Sequence, residues 1–408
     1  MSPVKRALFI GHVWPEPRSS AAGARSMDLI QALQAWGWQV TVSSAAQLSP
    51  HRADLSALGI DELEIRLNCD SFNAQLAKLQ PQLVIFDRFL SEEQFSWRVE
   101  EVCPEALRVL DTQDLHSLRE ARQQAIKRGG EPELHSELAQ RELAAIWRSD
   151  LSLIISDYEM SLLQQHYGVS ASLLHYYPLL SEGRQPASDF DGRKHCLCIG
   201  NYRHAPNWDA LQYLRRDIWP VLCKRLPEAE CHVYGAYPPP KAMQLHSDKL
   251  GFLIKGWAPD ARAVMRDAKL CLAPLRFGAG QKGKLLEAME CGTPSVTSAV
   301  GAEGMGNSET WGGYLADTPE AFVDACVALY RDATAWQQAQ QRGDALLTRF
   351  DRQSHLRQLR ERLSTLSVER DAGRKANFIG AMLRHHSLRS HRYMSQWIAA
   401  KNRFSAAE

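Results

Sequence analysis

No stretch of the 408-residue sequence stays apolar for the length of a bilayer crossing, and its first apolar run, Val4 to Gly11, is too short and strand-like for a signal-peptide core. A cytoplasmic protein is therefore expected. Charge of one sign is also missing: 48 lysines and arginines face 47 aspartates and glutamates, so no global field argues for nucleic acid. The nine cysteines lack metal-knuckle spacing. Cys196-Leu197-Cys198 has the alternation of a strand rather than the two-residue gap of a zinc site, and an odd set scattered over apolar positions reads as buried free thiols. No metal site is expected.

What the chain does have is strand alternating with helix, twice over, in a length that suits two domains. Val4–Gly11 reads as a first strand, followed by a loop rich in Pro, Ser and Gly, a helix from Ser26 to Ala35 and a strand from Gln39 to Ser43. Further strands are expected at Glu62–Leu67, Gln82–Phe86, Leu107–Leu110 and Leu151–Ile155, with a long charged helical stretch from Leu115 to Arg148. Residues 1–177 thus form one doubly wound α/β domain, and the Pro- and Gly-containing stretch 178–194 is a linker. The pattern then restarts. Strands are expected at His195–Gly200, Cys231–Gly235, Phe252–Ile254, Lys269–Ala273 and Pro294–Ser298, and helices at Pro206–Leu226, Asp260–Asp267, Leu285–Cys291 and Pro319–Arg342, giving a second domain over 195–350. Two such halves joined once leave a cleft between facing strand ends. Residues 351–408 form a helical tail. Its last part, from Ser367, carries eight basic against three acidic side chains with aromatics interleaved. It is read as packing back on the body or on a second subunit, with contact to anionic lipid as the sharper alternative.

One stretch carries chemistry. Between the strand ending at Ala273 and the helix from Leu285 lies Arg276-Phe277-Gly278-Ala279-Gly280-Gln281-Lys282-Gly283-Lys284. Its glycines permit close backbone approach, and the first amides of the next helix have no intrahelical partner, which makes an anion cradle. Arg276, Lys282 and Lys284 add formal charge suited to a diphosphate, and Glu287, one turn further, can accept from a ribose diol. The loop lacks the Gly-Lys-Ser/Thr of a Walker motif and comes too late to open a dinucleotide fold. An ordinary strand-to-helix loop with surface lysines is the plain alternative.

Four segments share a family pattern: Ile199-Gly200-Asn201-Tyr202 with Pro206-Asn207, Gly256-Trp257 with Pro259-Asp260, Leu286-Glu287-Ala288-Met289 after the lysine loop, and Gly301-Ala302-Glu303-Gly304 after Thr297. In these the second half resembles the nucleotide-sugar domain of retaining glycosyltransferases of family 4 (glycosyl transferases group 1), in the subgroup with a Gly-x-Gly-x-Lys-x-Lys loop. The first half is similar more weakly. The resemblance implies a GT-B fold, two Rossmann-like domains facing a cleft, and metal-independent transfer of a hexose from a nucleotide-diphosphate sugar with retention of configuration. No cofactor is implied beyond that co-substrate. The acceptor is a glycan, a lipid-linked molecule or a protein, consistent with polysaccharide biosynthesis at the inner face of the membrane. In the family, a glutamate, seven residues and a second glutamate mark the donor site. Glu287 takes the second place, but Ala279 stands in the first.

The donor set implied is Gly23, Arg25, Gly200, Arg203, Arg276, Gly280, Gln281, Lys282, Lys284 and Glu287, with Gly23 and Arg25 reaching donor phosphates from the first domain. Asp114 and His116, at a strand end, are the candidates for contact with sugar or acceptor, with a helix cap as the alternative for Asp114. His12, Tyr158 and Glu159 are further candidates by location. Two rival readings remain open: an epimerase of the same fold, and a non-catalytic nucleotide-sugar-binding module.

Overall fold

The computed structural model describes residues 4–405, so residues 1–3 and 406–408, at the extremities of the first domain and the tail, lie outside the described residues. Two parallel sheets organise the chain. The first contains β1 (Lys5–Gly11), β2 (Trp38–Ser44), β3 (Asp61–Glu64), β4 (Leu83–Asp87), β5 (Leu107–Asp111), β6 (Leu151–Ile154) and β7 (Leu174–Tyr176), in the order β3-β2-β1-β4-β5-β6-β7. The second contains β8 (Lys194–Ile199), β9 (Cys231–Tyr234), β10 (Phe252–Gly256), β11 (Ala268–Ala273), β12 (Ser295–Thr297) and β13 (Gly313–Leu315), in the order β10-β9-β8-β11-β12-β13. Helices cover both faces, so central strands are apolar on either side. Ala7, Leu8, Phe9 and Ile10 are all buried, as a sheet sandwiched between helix layers requires. In each sheet the strand order reverses, between β1 and β4 and between β8 and β11, which opens a crevice at the carboxyl ends.

Several elements differ from the sequence reading, each for a local reason. The first helix starts at Ala21 rather than Ser26, because Ser20 caps it by accepting from Gly23 N at 3.1 Å. The charged stretch divides into helices His116–Arg128 and Glu137–Arg148, separated by Gly129 and Gly130 at positive φ. The helix expected over Pro206–Leu226 widens to a π turn at Leu214–Ile218, where Pro220 has no N–H to continue the ordinary ladder. Asp332 interrupts the helix expected over Pro319–Arg342 by capping a second one, Ala333–Leu347. β7 and β13 are too short to show periodicity.

After the second domain the chain crosses back. Helix Arg352–Ala376 inserts Leu359, Leu363 and Leu366 into the first domain's core beside Phe9 and Tyr177. Helices Phe378–Leu383 and Arg389–Ser405 then lie against Glu137–Arg148 and Arg88–Val102, respectively. The tail is thus part of the first domain in space.

Polar contacts join the domains beside the crevice, those of Arg122 and Glu159 among them. Arg122 donates to Gly278 O at 2.8 Å and grips both oxygens of Glu303 at 2.7 Å. Glu159, fully buried, accepts from Leu115 N and Gly280 N through the same oxygen, each at 2.9 Å, while its other oxygen has no hydrogen-bond partner among the described residues. Burial pushes the Glu159 carboxyl up to about 8, with Asp114 and Glu142 adding to the rise against Leu115 N and Lys282. A second buried carboxyl, Glu142, is raised by burial to about 7.

Arg25, read from sequence as a donor contact, faces away from the crevice. Its guanidinium is buried, donates to Asp111 Oδ1 from Nε at 2.9 Å and from Nη2 at 2.8 Å, and binds the carbonyls of Tyr177 and Pro178. It fastens the end of β5 to the start of the linker.

Removing one partner of such a buried pair typically costs about 3–5 kcal/mol. Arg25→Met is therefore expected to lower the urea midpoint strongly, with Asp111→Leu in the same chain restoring much of the loss. A variant as stable as the parent but weaker for nucleotide would return Arg25 to the site. For Glu159, a raised folded-state value means the carboxyl favours the fold while protonated. Its contribution is complete below the ordinary carboxylate range and is lost as pH rises through about 8. Melting temperature should fall across that window, and Glu159→Gln should flatten part of the slope, with Glu142 and Glu287, also raised by burial, contributing to what remains. An identical slope in the variant would contradict this assignment.

Candidate active site

The crevice holds a cavity of about 1180 Å³ lined by both domains. There two helices of different domains bring their amino-terminal residues together: Ala21–Ala35 from the first and Gly283–Glu290 from the second. They come so near that a Cβ on Gly283 would lie 2.5 Å from the Cβ of Ala21, so only glycine fits there. Each helix end carries partial positive charge, and in the second the first amide bonded back into the turn is that of Leu285, to Lys282 O at 2.8 Å.

Formal charge joins these dipoles. Lys282 is buried at the cavity wall, with Nζ donating to Gly280 O at 2.6 Å. Burial pulls its ammonium down to about 8, opposed by Glu303 and Glu159. Lys284 donates to Asn207 Oδ1 at 2.8 Å, and Asn207 is itself held by Asn201 O at 3.0 Å. Burial lowers Lys284 as well. One turn deeper, Glu287 lines the same cavity, its carboxyl raised to about 7 by burial against the pull of Arg262. The cavity wall therefore offers, in order, two helix ends, two ammonium groups and one carboxyl. That sequence of charge suits a diphosphate followed by a neutral diol.

The other expected donor residues divide. Gly23 and Gly200 line the cavity, and both lie where a side chain would collide: with Glu16 O at 2.3 Å for Gly23, and with Asn207 and Lys284 Nζ at 2.6 and 2.9 Å for Gly200. The amide of Gly23 is taken by its cap, Ser20 Oγ. Arg203 lines the rim, stacked on Tyr237 with its guanidinium 3.6 Å from the ring centre. Gln281 touches the wall, but its side chain spans Leu179 N at 2.9 Å and Gly304 O at 3.1 Å. Gly280 contributes no wall surface. At φ +61° it packs against Asp114, and its amide is given to Glu159. Arg276 lies outside the cavity lining, paired with Asp209 from Nε at 2.8 Å and resting over Tyr213.

On the first-domain side, Asp114 and His116 both line the cavity. Asp114 is bonded to Arg119, and His116 Nε2 lies 3.4 Å from Asp114 Oδ1. Burial alone would raise the Asp114 carboxyl, but Arg119 and His116 hold it well below its usual range. Burial lowers His116 to about 3, so at neutral pH it is an uncharged imidazole beside a carboxylate. Asp114 does not cap the helix that follows. Glu159 binds Leu115 N, and Glu142 binds His116 N and Ser117 N at 2.9 and 3.0 Å, so the cap comes from two distant carboxyls. His12 and Glu16 line the same side, whereas Tyr158 and Glu159 are outside the lining.

Sequence reading missed Arg119, which fixes Asp114, and Arg88, a cavity-lining cation at φ +68° just after β4. A charged residue directly behind a strand's carboxyl end was the available signal for Arg88. It also missed the rim cluster in which His51 meets Tyr237 and Trp257 at ring distances of 5.0 and 4.5 Å, while Tyr237 and Trp257 reach Glu16 Oε1 and Arg18 O. Nothing in local spacing announces that contact. Away from the crevice, at the opposite end of the second sheet, His195, Glu230 and His232 bring three metal-type donor atoms within 4.8 Å. The two rings stack at 4.5 Å and 26°, so their in-plane lone pairs run side by side rather than converge.

Known proteins agree with this architecture. The family described as glycosyl transferases group 1 matches residues 193–332. Among solved structures, the chain is similar to a sucrose-phosphate synthase from Thermosynechococcus elongatus, with a TM-score of 0.65 and 16% identity, covering 89% of this chain and 99% of that one. It is likewise similar to Anabaena HepE, solved in complex with UDP and glucose, with a TM-score of 0.65 and 15% identity over 89% of this chain and 100% of that one. The pneumococcal O-GlcNAc transferase GtfA, in complex with UDP and GlcNAc, aligns at a TM-score of 0.55 and 15% identity over 72% of this chain and 59% of that one. No curated protein matches the chain. The protein therefore has the two-domain GT-B glycosyltransferase fold, and its second domain carries the group 1 glycosyltransferase pattern across residues 193–332.

Proposed function

We propose that the chain is a metal-independent glycosyltransferase that moves a hexose from a nucleotide-diphosphate sugar to a hydroxyl acceptor with retention of configuration. The single observation that carries this reading is the meeting of two helix amino termini across the crevice, flanked by Lys282 and Lys284 with Glu287 one turn deeper. A diphosphate seated there balances both helix dipoles and two ammonium groups, and Glu287 accepts from the ribose diol. The UDP complexes of similar folds make UDP-hexoses the first donors to test.

The chemistry follows from charge. As the bond from the anomeric carbon to the diphosphate breaks, the electron pair leaves with the phosphate, and Lys282, Lys284 and the amides of the Gly283 helix stabilise it. An acceptor oxygen bonds to the anomeric carbon on the same face, and its proton passes to the departing phosphate oxygen. This route needs no strong general base. The near-wall carboxylate Asp114 suits that scheme, because its pairing with Arg119 makes it a poor proton acceptor. Asp114 then acts as a positioning residue for neutral His116, whose ring is directed at a hydroxyl of the transferred sugar or of the acceptor. Ala279 replaces a carboxylate expected from the family pattern, which leaves the lysines as the phosphate-side charge.

The test is release of UDP from UDP-hexoses with and without candidate glycan, lipid-linked and protein acceptors. Acceptor-dependent release supports transfer, isomerisation of the donor without acceptor points to an epimerase, and binding without turnover points to a non-catalytic module. Lys282→Ala should weaken UDP by about 1.5–3 kcal/mol, the range for a charge-assisted hydrogen bond, or roughly 10- to 150-fold. Because the ligand favours the protonated amine, UDP affinity should hold below pH 8 and fall as pH rises past about 8, a limb that Lys282→Ala should lose. Equal affinity in parent and variant would remove Lys282 from the donor site.

A further inference from the structure

Between Asp371 and Glu408 the sequence has no acidic residue and seven basic ones, at Arg374, Lys375, Arg384, Arg389, Arg392, Lys401 and Arg403. In space this segment is a nearly continuous rod: helix Phe378–Leu383, a π turn at Arg384–Leu388, and helix Arg389–Ser405. The wide turn absorbs one extra residue and so sets the second helix back by about 100° of phase relative to the first. With that shift, Gly380, Leu388, Ser395 and Ala399 share one face, and all four are buried. Phe378, Ile379, Met382, Tyr393, Met394 and Trp397 share the opposite face, and all six are exposed.

The rod is therefore amphipathic in an unusual sense, with a covered face against the first domain and an uncovered apolar stripe pointing outward. Phe378, Tyr393 and Trp397 are 70%, 65% and 64% exposed, far more than scattered surface hydrophobics need explaining. On the inner side the basic residues are matched by the body: Arg374 grips Asp150 and Arg392 reaches Glu101. Lys375, Arg389 and Lys401 are exposed alongside the stripe. Aromatic rings beside basic chains, with no acid among them, match a surface that sits at the headgroup level of a bilayer. A second copy of the same face would set basic against basic, so charge complementarity selects an anionic occupant.

We propose that the outer face of residues 378–401 docks on the surface of a bilayer containing anionic phospholipid. The rings enter the boundary between headgroups and acyl chains, and Lys375, Arg389 and Lys401 lie over the phosphates. The crevice would then work beside a membrane whatever its acceptor, so this surface is separate from the donor chemistry.

Flotation of the full chain with vesicles tests the idea. Phosphatidylcholine vesicles should retain little protein, and the same vesicles with phosphatidylglycerol should retain most of it, less so when salt shortens the screening length. The combined substitution Phe378→Ser, Tyr393→Ser and Trp397→Ser should cut partitioning roughly tenfold or more, while melting temperature and UDP affinity stay at parent values. A second variant, Arg389→Ser with Lys401→Ser, leaves the stripe intact and should lose the phosphatidylglycerol preference. Equal retention on neutral and anionic vesicles, no retention on either, or a dimer in sedimentation that the triple substitution dissolves would each overturn the proposal.

Discussion

Positive charge that the protein buries and only partly offsets is the constraint around which the crevice is built. Helix amino termini repel cations, yet Lys282 and Lys284 are set against one such terminus and opposite another. Burying an ammonium costs several kcal/mol unless partners compensate, and here the hydrogen-bond partners are neutral, Gly280 O and Asn207 Oδ1, while the carboxyls Glu303, Glu159 and Glu287 offset the burial only in part. The lowered pKa of both lysines is the signature of that tension. An entering anion relieves it, so stability withheld from the empty fold becomes available to the bound one. The glycines serve the same arrangement, since Gly283 lets the two helix ends approach and Gly280 lets the loop press on Asp114.

The second pole of the crevice works by the opposite device. There the charges are matched: Asp114 with Arg119, and Arg122 with Glu303 across the domains. Matching fixes Asp114 in place, and burial leaves the adjacent His116 neutral. One side of the cavity is thus electrostatically unsatisfied and the other is settled, which orients a ligand whose charge is all at one end.

Much of this was legible in the sequence, and what was not has a common cause. Strand and helix alternation gave the two doubly wound sheets because buried parallel strands are apolar on both faces. The glycine-lysine loop gave its position because backbone freedom and formal charge coincide in a few letters. Partner choice was not legible. Arg25, Arg276 and Lys282 are alike as letters, but Asp111 absorbs the first, Asp209 absorbs the second, and only the third faces the cavity. The cap of the helix after Asp114 was illegible for the same reason, since Glu142 and Glu159 arrive from 26 and 44 residues away. Local spacing reports what a residue offers, whereas burial of a distant partner decides what it spends it on.

The return of the chain to the first domain has a mechanical consequence. The polypeptide passes between the two halves twice, at residues near Ser181 and near Asp351, and the passages are fastened to each other: Ser181 N to Phe350 O at 2.8 Å and Arg352 N to Ser181 O at 2.9 Å. A single tether would let one half swivel freely about the other. Two passages stitched together resist twisting and sliding of one half against the other more than a single one would, which fixes the alignment of the two helix ends.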